Sequence, residues 1–91
     1  MFTNKTRNGR NNICGRNIAF RRKDLALSQR ALADRLQVEG IDVGKNAIQR
    51  IEAGKRFVTD IEVVALSKVL DCSLEYLLSP YSIMPKNSTL A

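Results

Sequence analysis

The chain has no histidine and no tryptophan, and only two of its 91 residues are cysteine. Without histidine, neither a Ser-His-Asp nor a Cys-His catalytic set can form. Cys14 and Cys72 lie far apart and belong to no CxxC pattern, which excludes the usual zinc sites. The glycines form no phosphate-binding loop of the P-loop type. We therefore predict a protein that is not an enzyme and that holds no metal ion or cofactor.

Long apolar segments are also missing. No run approaches the ~18 apolar residues that span a bilayer. The basic N-terminus is not followed by the apolar segment of a secretory signal. We therefore expect no membrane partner and a cytoplasmic location, where the two thiols are small apolar residues of a reducing compartment. Because aromatic residues make up only 5% of the chain, the core should consist of Leu, Ile, Val and Ala.

Positive charge is concentrated at one end of the chain. The formal net charge is +6, and residues 1–30 hold eight Lys or Arg against one acidic residue. This imbalance indicates a polyanionic partner, and a basic tail that only aids solubility is the alternative. Residues 1–12 are polar and basic and predict a flexible arm, while residues 80–91 hold both prolines and predict a C-terminal tail. The remaining residues, 13–79, are long enough for one domain.

The body of the chain predicts helices and no strands, because sustained period-2 alternation is missing. Helices are predicted over about 15–26, 29–37 and 44–53, then from Thr59 to about 70, with a short fifth helix after Ser73. Ser28 is a good N-cap, Gly54 stops the third helix, and Thr59 with Glu62 forms a capping box. The side chains expected to face inward are Cys14, Ile18, Leu25, Leu32, Ala33, Leu36, Ala47, Ile48, Ile51, Ile61, Val64, Ala65, Leu66, Val69, Leu70, Leu74, Leu77 and Leu78.

The third predicted helix carries side chains that can read DNA. Lys45, Asn46 and Gln49 project to one side of it. An Asn amide can pair with adenine, and a Lys can pair with guanine, in the major groove. Arg50 can lie at the groove edge and hold a phosphate. Two short helices around a connection, the second with this polar face, predict a helix-turn-helix. The alternative is that these are ordinary exposed polar residues.

Several short motifs follow one another in a specific order. They are Leu27-Ser-Gln29, Ala31-Leu-Ala33, Ile48-Gln-Arg-Ile-Glu52, Gly54-Lys-Arg56 and Leu77-Leu78. Their order and spacing, over roughly residues 13–78, resemble the lambda-repressor-like, XRE-type helix-turn-helix family. The resemblance implies a compact five-helix bundle and a homodimer bound to palindromic double-stranded DNA. It also implies a transcriptional role in bacteria or phage, and we expect that of a repressor.

The resemblance also implies roles for single residues. Gln29, in the first turn of the second helix, would meet a phosphate with help from the helix dipole. Lys55 and Arg56 would form a phosphate clamp with the N–H groups that begin the fourth helix. A solvated Gln and a helix C-terminus neutralised by cations are the alternatives. Glu52 and Arg22 are expected to be structural. The predicted DNA-binding residues are Gln29, Gly44, Lys45, Asn46, Gln49, Arg50, Lys55 and Arg56.

One segment departs from the family pattern. The second and third helices are usually joined by a turn of about four residues, whereas the connection here spans 38–43. Gly40 is free to take a positive φ. Glu39 and Asp42 would be repelled by phosphate, so the loop should point away from DNA, or Asp42 should cap the third helix. The sequence therefore defines the first residue of the recognition helix only to within about one residue.

The two ends of the chain leave further alternatives open. The arm residues Lys5, Arg7 and Arg10 either follow a DNA groove or belong to a plain tail. Near the other end, four apolar residues either form a dimer patch or cover the core. These four residues are Tyr76, Tyr81, Ile83 and Met84.

A second class of function remains possible for this fold. The chain could be a protein-interaction adaptor or antitoxin-like module, and RNA binding is a third and weaker possibility. An adaptor should show an exposed apolar stripe on the third helix, and the sequence shows none. A chain of this length leaves little room for a small-molecule effector pocket.

Overall fold

Three helices in the computed structural model begin at hydroxyl side chains that the sequence predicts as caps. The Ser28 and Ser73 hydroxyls each accept the backbone N–H three residues on, at 2.9 Å. Thr59 accepts from the Glu62 N–H at 3.2 Å, and the Glu62 carboxylate accepts from the Thr59 N–H at 3.0 Å. These bonds satisfy N–H groups that a helix leaves without partners, so the helices begin where predicted.

Residues 5–79, the part of the chain that the structure describes, contain five α-helices and no strand. The predicted all-α, five-helix class is therefore confirmed, with bounds within about two residues of those expected. No helix among these residues has the length and apolar character needed to cross a membrane. The predicted tail at 80–91 lies outside them. The helices are α1 (Gly15–Asp24), α2 (Gln29–Val38), α3 (Lys45–Glu52), α4 (Asp60–Leu70) and α5 (Leu74–Leu78).

The core lies where α1 meets α3, α4 and α5, and where α2 meets α3 and α4. Burial of each large apolar side chain there contributes about 1.5–3 kcal/mol. Cys14 is buried as predicted, and burial raises its pKa to about 11. The largest fully buried apolar side chains are those of Ile18, Leu32, Leu36, Ile48, Ile51, Leu66, Leu70 and Leu77.

The predicted inward faces of α4 and α5 are partly wrong. On α4, Val63 is buried in register with Leu66 and Leu70, which leaves the neighbouring apolar residues on the outside. On α5, which has five residues, Leu77 is the fully buried one, because so short a helix turns one position fully to the core. The side chains wrongly predicted to face inward, between 41% and 67% exposed, are Ile61, Val64, Leu74 and Leu78.

An ion pair joins α1 to the end of α3. Arg22 Nε and Nη2 donate to the Glu52 carboxylate at 2.7 and 2.9 Å, and Arg22 Nη1 donates to the Leu27 carbonyl at 2.9 Å. Both charged side chains are only 10% exposed, and the hydrogen bonds to Glu52 raise the pKa of Arg22. Removing one partner of such a pair typically costs about 3–5 kcal/mol. The predicted structural role of both residues is confirmed.

The long α2–α3 connection is held at both ends. Gly40 has the predicted positive φ, +83°, and ends α2. Val43 is buried in the core, and the Glu39 carboxylate pairs with Lys68 of α4 at 2.9 Å. The extra residues therefore form an ordered loop in which Glu39 is already neutralised by a lysine of the same chain.

Residues 5–12 fold against the body, where the sequence predicted a flexible arm. The Thr6 N–H donates to the Arg10 carbonyl at 2.7 Å, and the Gly9 N–H donates to the Thr6 carbonyl at 2.9 Å, which closes a turn. The Asn11 N–H then donates to the Gly54 carbonyl at 2.8 Å. This segment therefore docks beside the loop that connects α3 to α4.

Candidate nucleic-acid interface

The N-terminus of α3 is open. Gly44 is the N-cap residue, and no side chain caps the helix. The alternative in which Asp42 caps α3 is therefore wrong, and Asp42 is exposed. α3 begins at Lys45, one residue later than predicted. A Cβ at Gly44 would have no atom within 4 Å, so its surroundings are open space. Unpartnered N–H groups and the positive end of a helix dipole favour an anion at such a place.

The outer face of α3 is polar. Ile48 and Ile51 are fully buried, and Ala47 is half-buried beside them. The side chains on the other face are exposed, so the sequence correctly separated the two faces of this helix. The structure brings four predicted site residues together here, and they are Lys45, Asn46, Gln49 and Arg50.

Gln29 is half-buried in the first turn of α2 and has a protein partner. Its Nε2 donates to Glu52 Oε1 at 3.0 Å, on the carboxylate that also binds Arg22. The alternative of a solvated Gln without a partner is therefore wrong. The Arg22–Glu52–Gln29 network joins α1 and the start of α2 to the end of α3, and this fixes the position of Gln29.

The loop between α3 and α4 presents its two cations differently. Gly54, with a φ of +78°, ends α3 as predicted. Lys55 is exposed. The Arg56 guanidinium binds the Glu62 carboxylate through Nη1 at 3.0 Å and Nη2 at 3.1 Å. These hydrogen bonds raise the pKa of Arg56 and lower the pKa of Glu62. Lys55 is thus the exposed cation, whereas Arg56 ties the loop to α4.

Sequence reasoning missed Asn12, which is buried at the back of this loop. Its Nδ2 donates to the carbonyls of Ile51, at 3.0 Å, and Arg56, at 2.8 Å, and its Oδ1 accepts from the Gly15 N–H at 2.8 Å. An Asn just ahead of a predicted helix is a capping signal, so the bond to Gly15 was within reach of sequence reasoning. The bonds to the distant carbonyls have no local signal.

Comparison with known protein families identifies the family to which this fold belongs. The model of a family described as helix-turn-helix matches residues 18–77. The chain belongs to the XRE-type helix-turn-helix family. The resemblance inferred from the short motifs is thereby confirmed. The match covers every predicted DNA-binding residue of this helix-turn-helix protein, and it leaves out the segment that contains Asn12.

A solved structure supports the lambda-repressor-like fold of this helix-turn-helix protein. This chain is similar to the P22 c2 repressor, whose crystal structure is of a complex with synthetic operator 9T in the presence of Tl+. The two chains are 33% identical with a TM-score of 0.63, and the match covers 76% of this chain and 97% of that chain. Comparison with curated proteins finds no significant match.

Proposed function

We propose that this protein is a sequence-specific, DNA-binding transcriptional repressor of bacterial or phage type. The observation that carries the proposal is the two-sided α3, which buries Ile48 and Ile51 and turns a polar face to solvent. Family membership and the similar repressor, which is itself bound to an operator, support it. Such a protein works on DNA in the cytoplasm.

In this proposal α3 lies in the major groove. Lys45 and Asn46, in its first turn, read base edges, and Gln49, one turn on, is a second reader. Lys can donate to guanine O6 and N7, and the Asn amide can pair with adenine N6 and N7. Each good base contact of this kind contributes about 1–3 kcal/mol of discrimination. Arg50 lies at the groove edge and holds a phosphate.

The phosphate contacts come from the ends of neighbouring elements. Gln29 at the start of α2, the backbone at Gly44 and the Lys55 ammonium each hold a phosphate. Arg56 contributes indirectly. Because its guanidinium binds Glu62, it orders the loop that presents Lys55. These contacts set the register of the protein on the duplex and add affinity for DNA of any sequence.

We further propose that the protein binds a palindromic operator as a homodimer. One α3 of eight residues reads few base pairs, and a two-fold pair of such helices doubles the site. Phe57, Ile61 and Val64 are apolar and more than half exposed, and they follow directly on the Lys55 loop. A second copy seated there would place two DNA-facing loops side by side. Of the four residues that the sequence suggested as a dimer patch, Tyr76 is half-buried, and the other three, Tyr81, Ile83 and Met84, lie outside the described residues.

The proposal is tested by removing the base readers. We expect the double variant Lys45→Ala/Asn46→Ala to lose discrimination between random DNA and an operator selected by the wild-type protein. The ratio of the two affinities should fall about 30-fold or more, from two contacts of about 1–3 kcal/mol each. Competition binding at a fixed salt concentration measures the ratio, and circular dichroism checks that the helical content is unchanged.

The control removes the same groups elsewhere. Lys23 and Gln37 are exposed on α1 and α2, so Lys23→Ala/Gln37→Ala loses one ammonium and one amide from helices other than α3. This variant should keep the wild-type ratio. An unchanged ratio in the α3 variant would reject the assignment of its residues. If the wild-type protein selects no DNA sequence, the protein-interaction adaptor becomes the better proposal.

A further inference from the structure

Three consecutive residues ahead of α1, Arg10, Asn11 and Asn12, donate hydrogen bonds to the end of α3 and to the α3–α4 loop. We call them the N-terminal strap. Carbonyl groups at the C-terminus of a helix have no partners within the helix, and these bonds supply partners to such acceptors. The carbonyl groups that accept them belong to Ile51, Glu52, Gly54, Lys55 and Arg56.

The strap follows the path of the loop residue by residue. Arg10 Nη2 donates to the Glu52 carbonyl at 2.8 Å, which also places a positive charge at the negative end of the α3 dipole. Asn11 Nδ2 donates to the Lys55 carbonyl at 3.2 Å, next to the backbone bond from Asn11 to Gly54. The strap therefore holds the Lys55 carbonyl, while the Lys55 N–H donates to the Arg50 carbonyl of α3 at 2.9 Å.

Asn12 and two glycines explain how the strap comes so close. Asn12 is 9% exposed and bridges α1, through Gly15, to the end of α3. A Cβ at Gly15 would collide with the Ile51 carbonyl oxygen. A Cβ at Gly54 would lie 2.7 Å from the Arg10 guanidinium carbon. Position 15 therefore needs glycine for α1 and α3 to pack together, and position 54 favours glycine because its φ is +78° and because a side chain there would displace Arg10.

We propose that Arg10, Asn11 and Asn12 are positioning residues for DNA binding. The strap holds the α3–α4 loop in the conformation in which Lys55 meets a phosphate, so that the loop is ordered before DNA arrives. A loop that had to be ordered on binding would lose affinity, because fixing its backbone and side chains costs conformational entropy. This inference rests on the proposed DNA-binding function, and its residues lie outside the segment matched by the family, 18–77.

The chain contains a matched control for Asn12. Asn17 is 1% exposed, and its Nδ2 donates to three carbonyl groups at the end of α5, those of Tyr76, Leu77 and Ser79. Asn12→Ala and Asn17→Ala each remove one buried amide that makes three hydrogen bonds, and neither changes the charge. Only the first variant loosens the loop that carries Lys55.

The experiment measures DNA affinity at a temperature where both variants are folded and have the same oligomeric state. We expect Asn12→Ala to weaken binding about tenfold, to the selected operator and to random DNA alike, the effect of losing one or two hydrogen bonds that order the loop. Asn17→Ala should stay within about twofold of wild type. In a Lys55→Ala background, Asn12→Ala should cost only about twofold, because residues that act together are not additive.

Several results would overturn the inference. Equal losses of affinity in the two Asn variants, or a full Asn12→Ala effect in the Lys55→Ala background, would show a role in stability alone. If Asn12→Ala does not fold, Asn11→Ala decides, since it removes two side-chain hydrogen bonds at the surface, the one to the Lys55 carbonyl and the one accepted from Lys5. We expect Asn11→Ala to bind DNA about two- to threefold more weakly than wild type. An affinity equal to that of wild type would reject the positioning role of the strap. If the wild-type protein binds the selected operator no more tightly than random DNA, the proposed function is rejected instead.

Discussion

Glu62 has two tasks at the start of α4. Its carboxylate closes the capping box with Thr59 and accepts two hydrogen bonds from Arg56. The Arg56 hydrogen bonds, followed by those to Thr59, hold the pKa of Glu62 below its ordinary value of 4.5. The capping box was predictable because its residues are three apart. The pair with Arg56 was not, because a basic residue in this loop also fitted a phosphate clamp.

The lowered pKa of Glu62 gives a prediction for stability in acid. A carboxyl group of this kind stabilises the fold above its unfolded-state pKa, and the contribution is lost as the pH falls through the lower folded value. We therefore expect the free energy of unfolding to fall as the pH is lowered from about 5 to about 2. In Glu62→Gln the fall should be shallower, because the amide does not titrate. Urea titrations over this pH range measure it.

The control for this prediction is Glu75→Gln. Glu75 is exposed on α5, and no ion pair to it is observed within residues 5–79. Its removal should leave the acid dependence of the wild-type protein in place. A Glu62→Gln variant with the full wild-type dependence would show that other carboxyl groups cause the loss of stability.

At the scale of the element, α3 combines a well-packed inner face with an uncapped start. Sequence signals predicted its end at Gly54 and its inner face well, because both are local. Its start was uncertain because the α2–α3 connection is longer than the family pattern and contains Asp42, which could have capped the helix. The outward-facing positions of α4 were predicted wrongly, since a helix rich in apolar residues does not by itself show which neighbours it will meet. Val63, and not Ile61 or Val64, faces the core.

The open start of α3 predicts opposite effects on stability and on DNA binding. Gly44→Asp adds an N-cap without strain, because its φ is −86° and nothing lies within 4 Å of a Cβ. It should raise the free energy of unfolding by a few tenths of a kcal/mol. The added carboxylate should weaken DNA binding about tenfold at low salt, with a smaller loss at high salt. Urea unfolding and DNA titration at two salt concentrations measure the two effects.

Gly44→Ser separates the cap from the charge. It should stabilise α3 by a similar amount and keep DNA affinity within about twofold of wild type. If Gly44→Asp binds DNA as tightly as Gly44→Ser, the start of α3 does not lie near phosphate.

At the scale of the whole molecule, the sequence predicted a five-helix bundle because three helices carry their own N-cap side chains and the helices carry apolar inner faces. The strap escaped prediction for a different reason. Asn12 and the carbonyl it binds on Ile51 are 39 residues apart, and nothing in a polar run such as residues 10–12 indicates a partner so distant in the sequence. A polar, basic segment is usually solvated, so the pattern favoured a flexible arm. Its docking depends on two glycines and a free helix end, which become visible only in the folded chain.

The distribution of positive charge predicts the salt dependence of binding. If each subunit places about three or four cations on phosphate, the logarithm of the association constant of a dimer should fall with the logarithm of salt concentration with a slope near −5 to −7. Lys55→Ala should reduce this slope by about 2 in a dimer and weaken binding to all sequences alike. Titrations at several salt concentrations measure the slope.

Lys68→Ala is the control for Lys55. Lys68 lies on α4, pairs with Glu39 and is not among the residues proposed to contact DNA, so its loss removes a cation without removing a proposed phosphate contact. Its slope should equal that of the wild-type protein. A loss confined to one base position in Lys55→Ala would contradict a phosphate contact and would indicate base recognition by Lys55.

The two crowded glycines divide the molecule into a scaffold and a variable surface. A methyl group at residue 15 would collide with a backbone oxygen, and one at residue 54 would be strained at a φ of +78° and would displace Arg10, whereas the side chains of Lys45, Asn46 and Gln49 are exposed. A library built to retarget this protein could therefore randomise those three codons while retaining both glycines. New binding preferences could then be selected on an unaltered frame.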